Sequence, residues 1–221
     1  MRRWGKSTLD EIAGSVLFFA LAGAAVFSFS CYAQLRDGVA LYGKTKSDFL
    51  LMTTQCTLAI AGMALPIVID RKWKLNLPPV IYLLFYVFLF CAVFLGEILS
   101  FYYLIGQWDM MLHFFSGVML GLGGFAAAHL LARKHPISPL FAACFALCFS
   151  LSLGAVWEIY EYLMDGLLRM NMQKFADDQL LPFTGRRALS DTMEDLLVDA
   201  VSALITATGG FLILRHRQID R

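Results

Sequence analysis

Long apolar runs alternate with short polar breaks along the whole chain. Six runs, approximately 12–35, 49–69, 79–103, 110–132, 138–164 and 192–214, each reach the roughly 20 apolar residues a helix needs to cross a bilayer. Lipid offers no water to open backbone groups, so such spans are helices. The alternating ten-residue segments of a membrane β-barrel are not visible. The pattern predicts an all-α polytopic integral membrane protein, a six-helix transmembrane bundle in which residues 1–221 form a single transmembrane domain. Pro78-Pro79 opens the third span, and His135-Pro136 with Pro139 separates the fourth from the fifth. The longest connection, from Asp165 to Asp191, carries Asp177-Asp178, Pro182 and Gly185 and reads as an ordered or semi-ordered loop. The basic start Met1-Arg2-Arg3 with Lys6 resembles a signal peptide, but the apolar run after it exceeds the usual h-region of about 7–15 residues.

Basic residues orient the bundle. With the N-terminus inside, cytoplasmic segments hold Arg2, Arg3, Lys6, Arg71, Lys72, Lys74, Arg133, Lys134, Arg215, Arg217 and Arg221. The outer segments hold Arg36, Lys44, Lys46, Arg169, Lys174, Arg186 and Arg187. The expected orientation is N-in, C-in.

Composition narrows the class. The chain is 59% hydrophobic and 16% charged, against about 45–50% and about 25% for a soluble domain. Disorder, collagen, coiled coil and disulfide scaffold are excluded. A net charge of +1 gives no basic excess for nucleic acid, so no nucleic-acid partner is expected. Gly38 to Gly43-Lys44-Thr45 spells a phosphate-binding loop, but it links two spans without the preceding strand and nucleotide fold such a loop needs. It reads as a turn, and no nucleotide is expected. Cys31, Cys56, Cys91, Cys144 and Cys148 all fall inside spans and read as small apolar packing.

The acids are placed unevenly. Glu97, Asp109, Glu158, Glu161, Asp165, Asp191, Glu194, Asp195 and Asp199 all lie in the outer halves or at the outer ends of spans three to six. An acid at membrane depth costs about 2.5–3.5 kcal/mol, which makes it a functional-site hypothesis. Asp109 and His113 are four apart; Glu158, Glu161 and Asp165 are spaced three and four; Asp191, Asp195 and Asp199 are spaced four and four. Each set therefore shares one helix face. At 1.5 Å per residue Asp199 lies about 12 Å below Asp191, and Glu158 about 10 Å below Asp165. Asp191 with Ser190 and Glu194 also fits a helix cap, as does Asp109. So many carboxylates cannot all ionise side by side without protons or cations to compensate them. Carboxylates with one imidazole suit a divalent metal, Zn, Mn, Mg or Fe. The expected ligands are Glu97, Asp109, His113, Glu158, Asp191, Asp195 and Asp199. Gly117 and Gly121 form a small-residue face below His113, and Gly154 precedes Glu158 by one turn.

The motifs Gly96-Glu97 to Tyr102, Trp108-Asp109 to His113 and Ser116-Gly117, Gly154 to Trp157-Glu158, Glu161 and Asp165, Asn171-Met172-Gln173-Lys174, and Asp191-Thr192-Met193 to Asp195 and Asp199 form an ordered set. Together they resemble the YjdF-type family of small bacterial inner-membrane proteins of unknown function. The resemblance implies a multi-pass protein of the bacterial cytoplasmic membrane. More distantly the pattern is similar to VanZ-like membrane proteins, which tend to carry Asn and Gln where this chain has Asp199 and Glu161.

The leading expectation is a metal-dependent enzyme, a hydrolase or transferase, acting on an envelope lipid or anionic lipid-linked substrate. In it Glu158 or Glu161 is the general base, and Arg186, Arg187 and Lys174 attract an anionic head group. Two alternatives stay open at this level: a proton- or cation-coupled transporter, and a non-catalytic membrane factor.

Overall fold

The computed structural model describes residues 8–74, 79–132, 135–168, 170–177 and 181–219. Arg2, Arg3, Lys6, Arg133, Lys134, Arg169 and Arg221 of the orientation pattern, and Pro78 and Asp178 of the punctuation, lie outside the described residues. Six helical stretches are long and apolar enough to cross a membrane: Glu11–Gln34, Lys46–Trp73, Pro79–Ile98, Trp108–Ala132, Pro139–Leu168 and Gly185–Gln218. Among the described residues the only strand-like pairings are isolated bridges, Leu41 with Lys44 and Ala176 with Pro182. The protein is all-α and polytopic, as the apolar pattern predicts. It divides into two compact units, Met1–Trp108 and Asp109–Arg221.

The first unit contains α1 (Thr8–Gln34), α2 (Lys46–Gly62), α3 (Leu65–Trp73) and α4 (Pro79–Leu89). Leu17, Leu21, Cys56, Ala59, Met63, Tyr86, Leu89 and Val93 form its core. The segment that spells a phosphate loop is a tight turn: Leu41 and Lys44 pair, and Gly43 takes the left-handed φ of 73° that glycine tolerates. Lys44 Nζ then donates to Ser100 Oγ at 2.9 Å and to the Glu97 carbonyl at 3.3 Å. Thr45 and Asp48 close a capping box that starts α2. The second span is broken, because Pro66 in the first turn of α3 has no N–H to continue the ladder. The third span ends at Ile98 rather than near Tyr103. Its last part, Phe90–Ile98, is π-helical, and Ser100 turns the chain at φ 62° into the short α5 (Phe101–Leu104). Gly96 allows this fold-back, since a Cβ there would run into the Tyr102 ring.

The second unit contains α6 (Trp108–Ala132), α7 (Pro139–Leu168) and α8 (Ser190–Ile219), with a 3₁₀ turn Gly185–Leu189 leading into α8. Lipid tails give apolar helices no hydrophobic reason to associate, so close approach through small residues must hold them. Gly117, Gly121 and Gly124 line one face of α6. A Cβ on Gly117 would meet the Ser202 side chain of α8; on Gly121 it would lie 2.8 Å from the Thr206 methyl. On Gly124 it would lie 2.7 Å from the Ala146 Cα of α7. Ser150 Oγ donates to the Gly117 carbonyl at 2.8 Å, tying α7 to α6. Large apolar side chains such as Phe141, Val156, Leu204 and Ile205 are exposed, as a surface facing lipid requires.

Candidate functional site

Helical periodicity brings three short polar stripes of the second unit together. α6 contributes Asp109 and His113 from its first turns, α7 contributes Glu158, Glu161 and Asp165 near its C-terminal end, and α8 contributes Asp191, Asp195 and Asp199. His113 is the hub. Its Nδ1 lies 3.3 Å from Asp199 Oδ1. Its Nε2 faces three further carboxylates: Glu158 Oε1 at 3.8 Å, Asp109 Oδ1 at 3.9 Å and Asp195 Oδ2 at 3.9 Å. These groups are nearly closed to solvent, with Asp195 and Asp199 2% exposed, Glu158 4% and His113 7%. Gly154 makes the room: a Cβ there would drive into the Asp199 carboxyl group. Neither carboxyl oxygen of Glu158 has a hydrogen-bond partner among the described residues, nor has Oδ2 of Asp191, Asp195 or Asp199.

A strap from the connection after α7 closes one side. Asp165 Oδ1 accepts the backbone N–H of Met172 at 2.7 Å, and its Oδ2 accepts that of Gln173 at 3.0 Å. Gln173 Nε2 donates to Thr192 Oγ1 at 2.7 Å on α8. Asn171 exchanges hydrogen bonds with the backbone of Ala176, closing the loop on itself. Lys174, at φ 44°, is thereby aimed inward. Its ammonium donates to Asp109 Oδ2 and, at 3.0 Å, to Asp191 Oδ1. Burial disfavours its charge, but the carboxylates of Asp109 and Asp191 outweigh that and hold the lysine well above its ordinary range.

Five carboxyl groups, those of Asp109, Glu158, Asp191, Asp195 and Asp199, thus face two bases, His113 and Lys174. Full ionisation would leave buried negative charge uncompensated, which costs several kcal/mol per ion in a low-dielectric site. One ligand atom from each of Asp109, His113 and Asp195 falls within 4.8 Å of the others, a spacing compatible with a shared cation. Tetrahedral ligands about 2.1 Å from zinc stand roughly 3.4 Å apart, so the set would draw in by up to about 1.4 Å to hold such an ion.

Of the remaining candidates, Glu97, Arg186 and Arg187 fall outside this cluster. Glu97 belongs to the first unit, in its π-helical segment. Glu161 accepts the indole N–H of Trp157 at 2.9 Å. Arg186 and Arg187 are exposed on the 3₁₀ turn, the latter stacked over Phe183 at 3.8 Å. Lys174, expected beside them at a head group, is held between Asp109 and Asp191 instead. Asp191 and Asp109 likewise engage Lys174 as well as starting their helices. Sequence reasoning missed the strap: Asp165 with Met172 and Gln173, and Gln173 with Thr192. The one signal present was Asn171, since an Asn side chain that bonds nearby backbone marks a turn.

The chain belongs to the family of predicted membrane proteins designated DUF2238, whose family model matches residues 15–216. This agrees with the YjdF-type resemblance carried by the motifs. No curated protein and no solved structure matches the chain.

Proposed function

Starting from that membership, we propose that the protein is a metal-dependent enzyme of the bacterial inner membrane, acting on an envelope lipid or lipid-linked substrate at the outer face. The observation that carries this reading is the two-sided environment of His113. With a cation at Nε2, the Asp199 carboxylate 3.3 Å from Nδ1 would accept the N–H of that nitrogen and leave Nε2 as the lone-pair donor, which is how a carboxylate orients a metal-binding histidine. That Nε2 looks into a buried ring of carboxylate oxygens from two other helices and its own.

In this reading Asp109, His113 and Asp195 hold the cation. Zinc, manganese or iron fits an oxygen-rich set with one imidazole better than magnesium does, although magnesium stays among the metals to test. When bound, such a cation supplies a water of lowered pKa and polarises a phosphoryl or carbonyl oxygen. Glu158 is the proton acceptor, because its carboxyl group is buried beside the ligands and makes no hydrogen bond of its own. Glu161, tied to Trp157, buttresses the same stretch of α7. Exposed Arg186 and Arg187 offer forked donors to an anionic head group near the mouth of the site. With the N-in, C-in orientation this end of α6, α7 and α8 meets the outer interface.

A transporter would need the polar path to continue along the bundle. Beyond Asp199 the hydroxyls turn to backbone carbonyls instead: Ser202 to Asp199, and Thr206 to Ser202. This favours an enzyme.

The test is metal content of protein purified in detergent without chelator. Wild type is expected to carry about one equivalent of divalent metal, retained by Glu158→Gln and lost by Asp195→Asn and His113→Ala. Wild type that binds no metal on reconstitution at about pH 7–8 would overturn the reading.

A further inference from the structure

We infer that the Lys174 ammonium stands at a second cation position and so restricts the site to one metal ion. The inference rests on the metal reading of the His113 cluster and deepens it. Its basis is the two-faced use of one carboxylate. Asp109 directs Oδ1 toward His113 Nε2, at 3.9 Å, and Oδ2 to Lys174 Nζ. With a cation held at His113, a carboxylate used this way would bridge two positive centres, as carboxylates do between metal ions about 3.5–4 Å apart in two-metal sites. Asp191, on α8, completes the second position at 3.0 Å through Oδ1, and its buried Oδ2 makes no hydrogen bond. The second position therefore has three carboxylate oxygens on hand, of which the lysine uses two.

The lysine is delivered there by construction. Two backbone N–H groups on Asp165, the Gln173 amide on Thr192 and the Asn171 clasp on Ala176 fix the strap on both sides of residue 174. They hold Lys174 at φ 44°, a conformation a side-chain-bearing residue adopts only when its surroundings impose it. A tethered ammonium differs from a metal ion in two respects. It cannot be chelated or exchanged, and it offers no open coordination position to a substrate. It supplies charge to Asp109 and Asp191 permanently and leaves exchange and chemistry to the position at His113.

The test counts metal. Wild type, Lys174→Gln, Lys174→Arg and the double variant Lys174→Gln with Asp191→Asn are stripped, reconstituted with manganese or zinc chloride, desalted and assayed for metal per chain. Melting temperature is followed over a metal titration of each, so a variant that is unstable when stripped still reports binding. Lys174→Gln is expected to bind one more equivalent than wild type and to gain melting temperature over a second metal-dependent phase. Lys174→Arg is expected to match wild type, and the double variant to lose the added equivalent. If Lys174→Gln binds the same single equivalent as wild type, the second position does not exist, while the metal reading stands. If neither binds metal, both fall. If wild type binds none and Lys174→Gln binds one, the metal reading of the native chain falls and the cation position under Lys174 stands.

Discussion

The two units bury different things inside similar apolar exteriors. The first closes on Leu17, Leu21, Cys56, Ala59, Met63, Tyr86, Leu89 and Val93. The second buries His113, Glu158, Glu161, Asp165, Asp195 and Asp199. The first unit buries uncharged polar groups, Ser28 and Gln55, beside its apolar core. The buried acids of the second unit carry a cost at membrane depth, which makes them a functional-site hypothesis. Both units hold packed and open glycines, Gly96 against the Tyr102 ring and Gly23 in open space in the first; in the second, Gly154 of α7 is where the Asp199 carboxyl group sits.

The sharpest way to break this contrast is to remove the hub. His113→Ala strands buried carboxylates and is expected to destabilise the protein by about 3–5 kcal/mol, measured by thermal or detergent-induced unfolding. A near-neutral result would mean that the cluster is hydrated and belongs with ordinary surface acids. Chelation probes the same unit without mutation. At metal levels of 100 times the dissociation constant, stripping should remove about 2.7 kcal/mol from wild type and nothing from Asp195→Asn. A metal-independent melting curve for wild type counts against a bound ion.

The glycine pair gives a smaller effect in one protein. Gly154→Val forces apart Asp199 and α7 and should cost about 1–3 kcal/mol with loss of bound metal. Gly23→Val should stay within about 0.5 kcal/mol, because nothing opposes the added atoms. Equal effects would erase the distinction between the units. Trp157→Phe removes one hydrogen bond to Glu161 and should cost about 0.5–1.5 kcal/mol without changing metal content. The mildest test is pH. Lys174 has its pKa raised in the folded state, so its contribution is fully present below the unfolded value of about 10.4 and is lost only as pH rises through the folded value. The titration of Lys174 itself thus leaves the stability difference between wild type and Lys174→Met flat from roughly pH 7 to 9.5, measured by thermal unfolding over that range; a slope there would report the neighbouring carboxyl groups, whose titration the loss of the ammonium shifts.

Much of the second unit was legible because helices convert spacing into direction. Asp191, Asp195 and Asp199 at intervals of four could only share a face, and so could Glu158, Glu161 and Asp165. The breaks in the first unit were less legible. Pro66 marks the bend of the second span in the sequence, but the left-handed Ser100 and the π-helical Phe90–Ile98 carry no comparable sign. They depend on Tyr102 finding the bare face of Gly96, a contact between residues in different turns of chain. The direction of Lys174 was not legible, because a loop residue's direction follows from what its neighbours bind, here Asp165 and Thr192.

The amino-acid sequence alone determined the membrane class, the helical spans and the face on which each acid lies. Those follow from local properties, apolar length and the 3.6-residue turn, that need no partner. Only the tertiary structure decided that His113 turns one nitrogen to Asp199 and the other to three carboxylates, and that Lys174 bridges Asp109 and Asp191. Those choices belong to which stripes meet and how closely, and the glycines set that by leaving room for the Ser202, Thr206 and Asp199 side chains at Gly117, Gly121 and Gly154 and for the Ala146 backbone at Gly124.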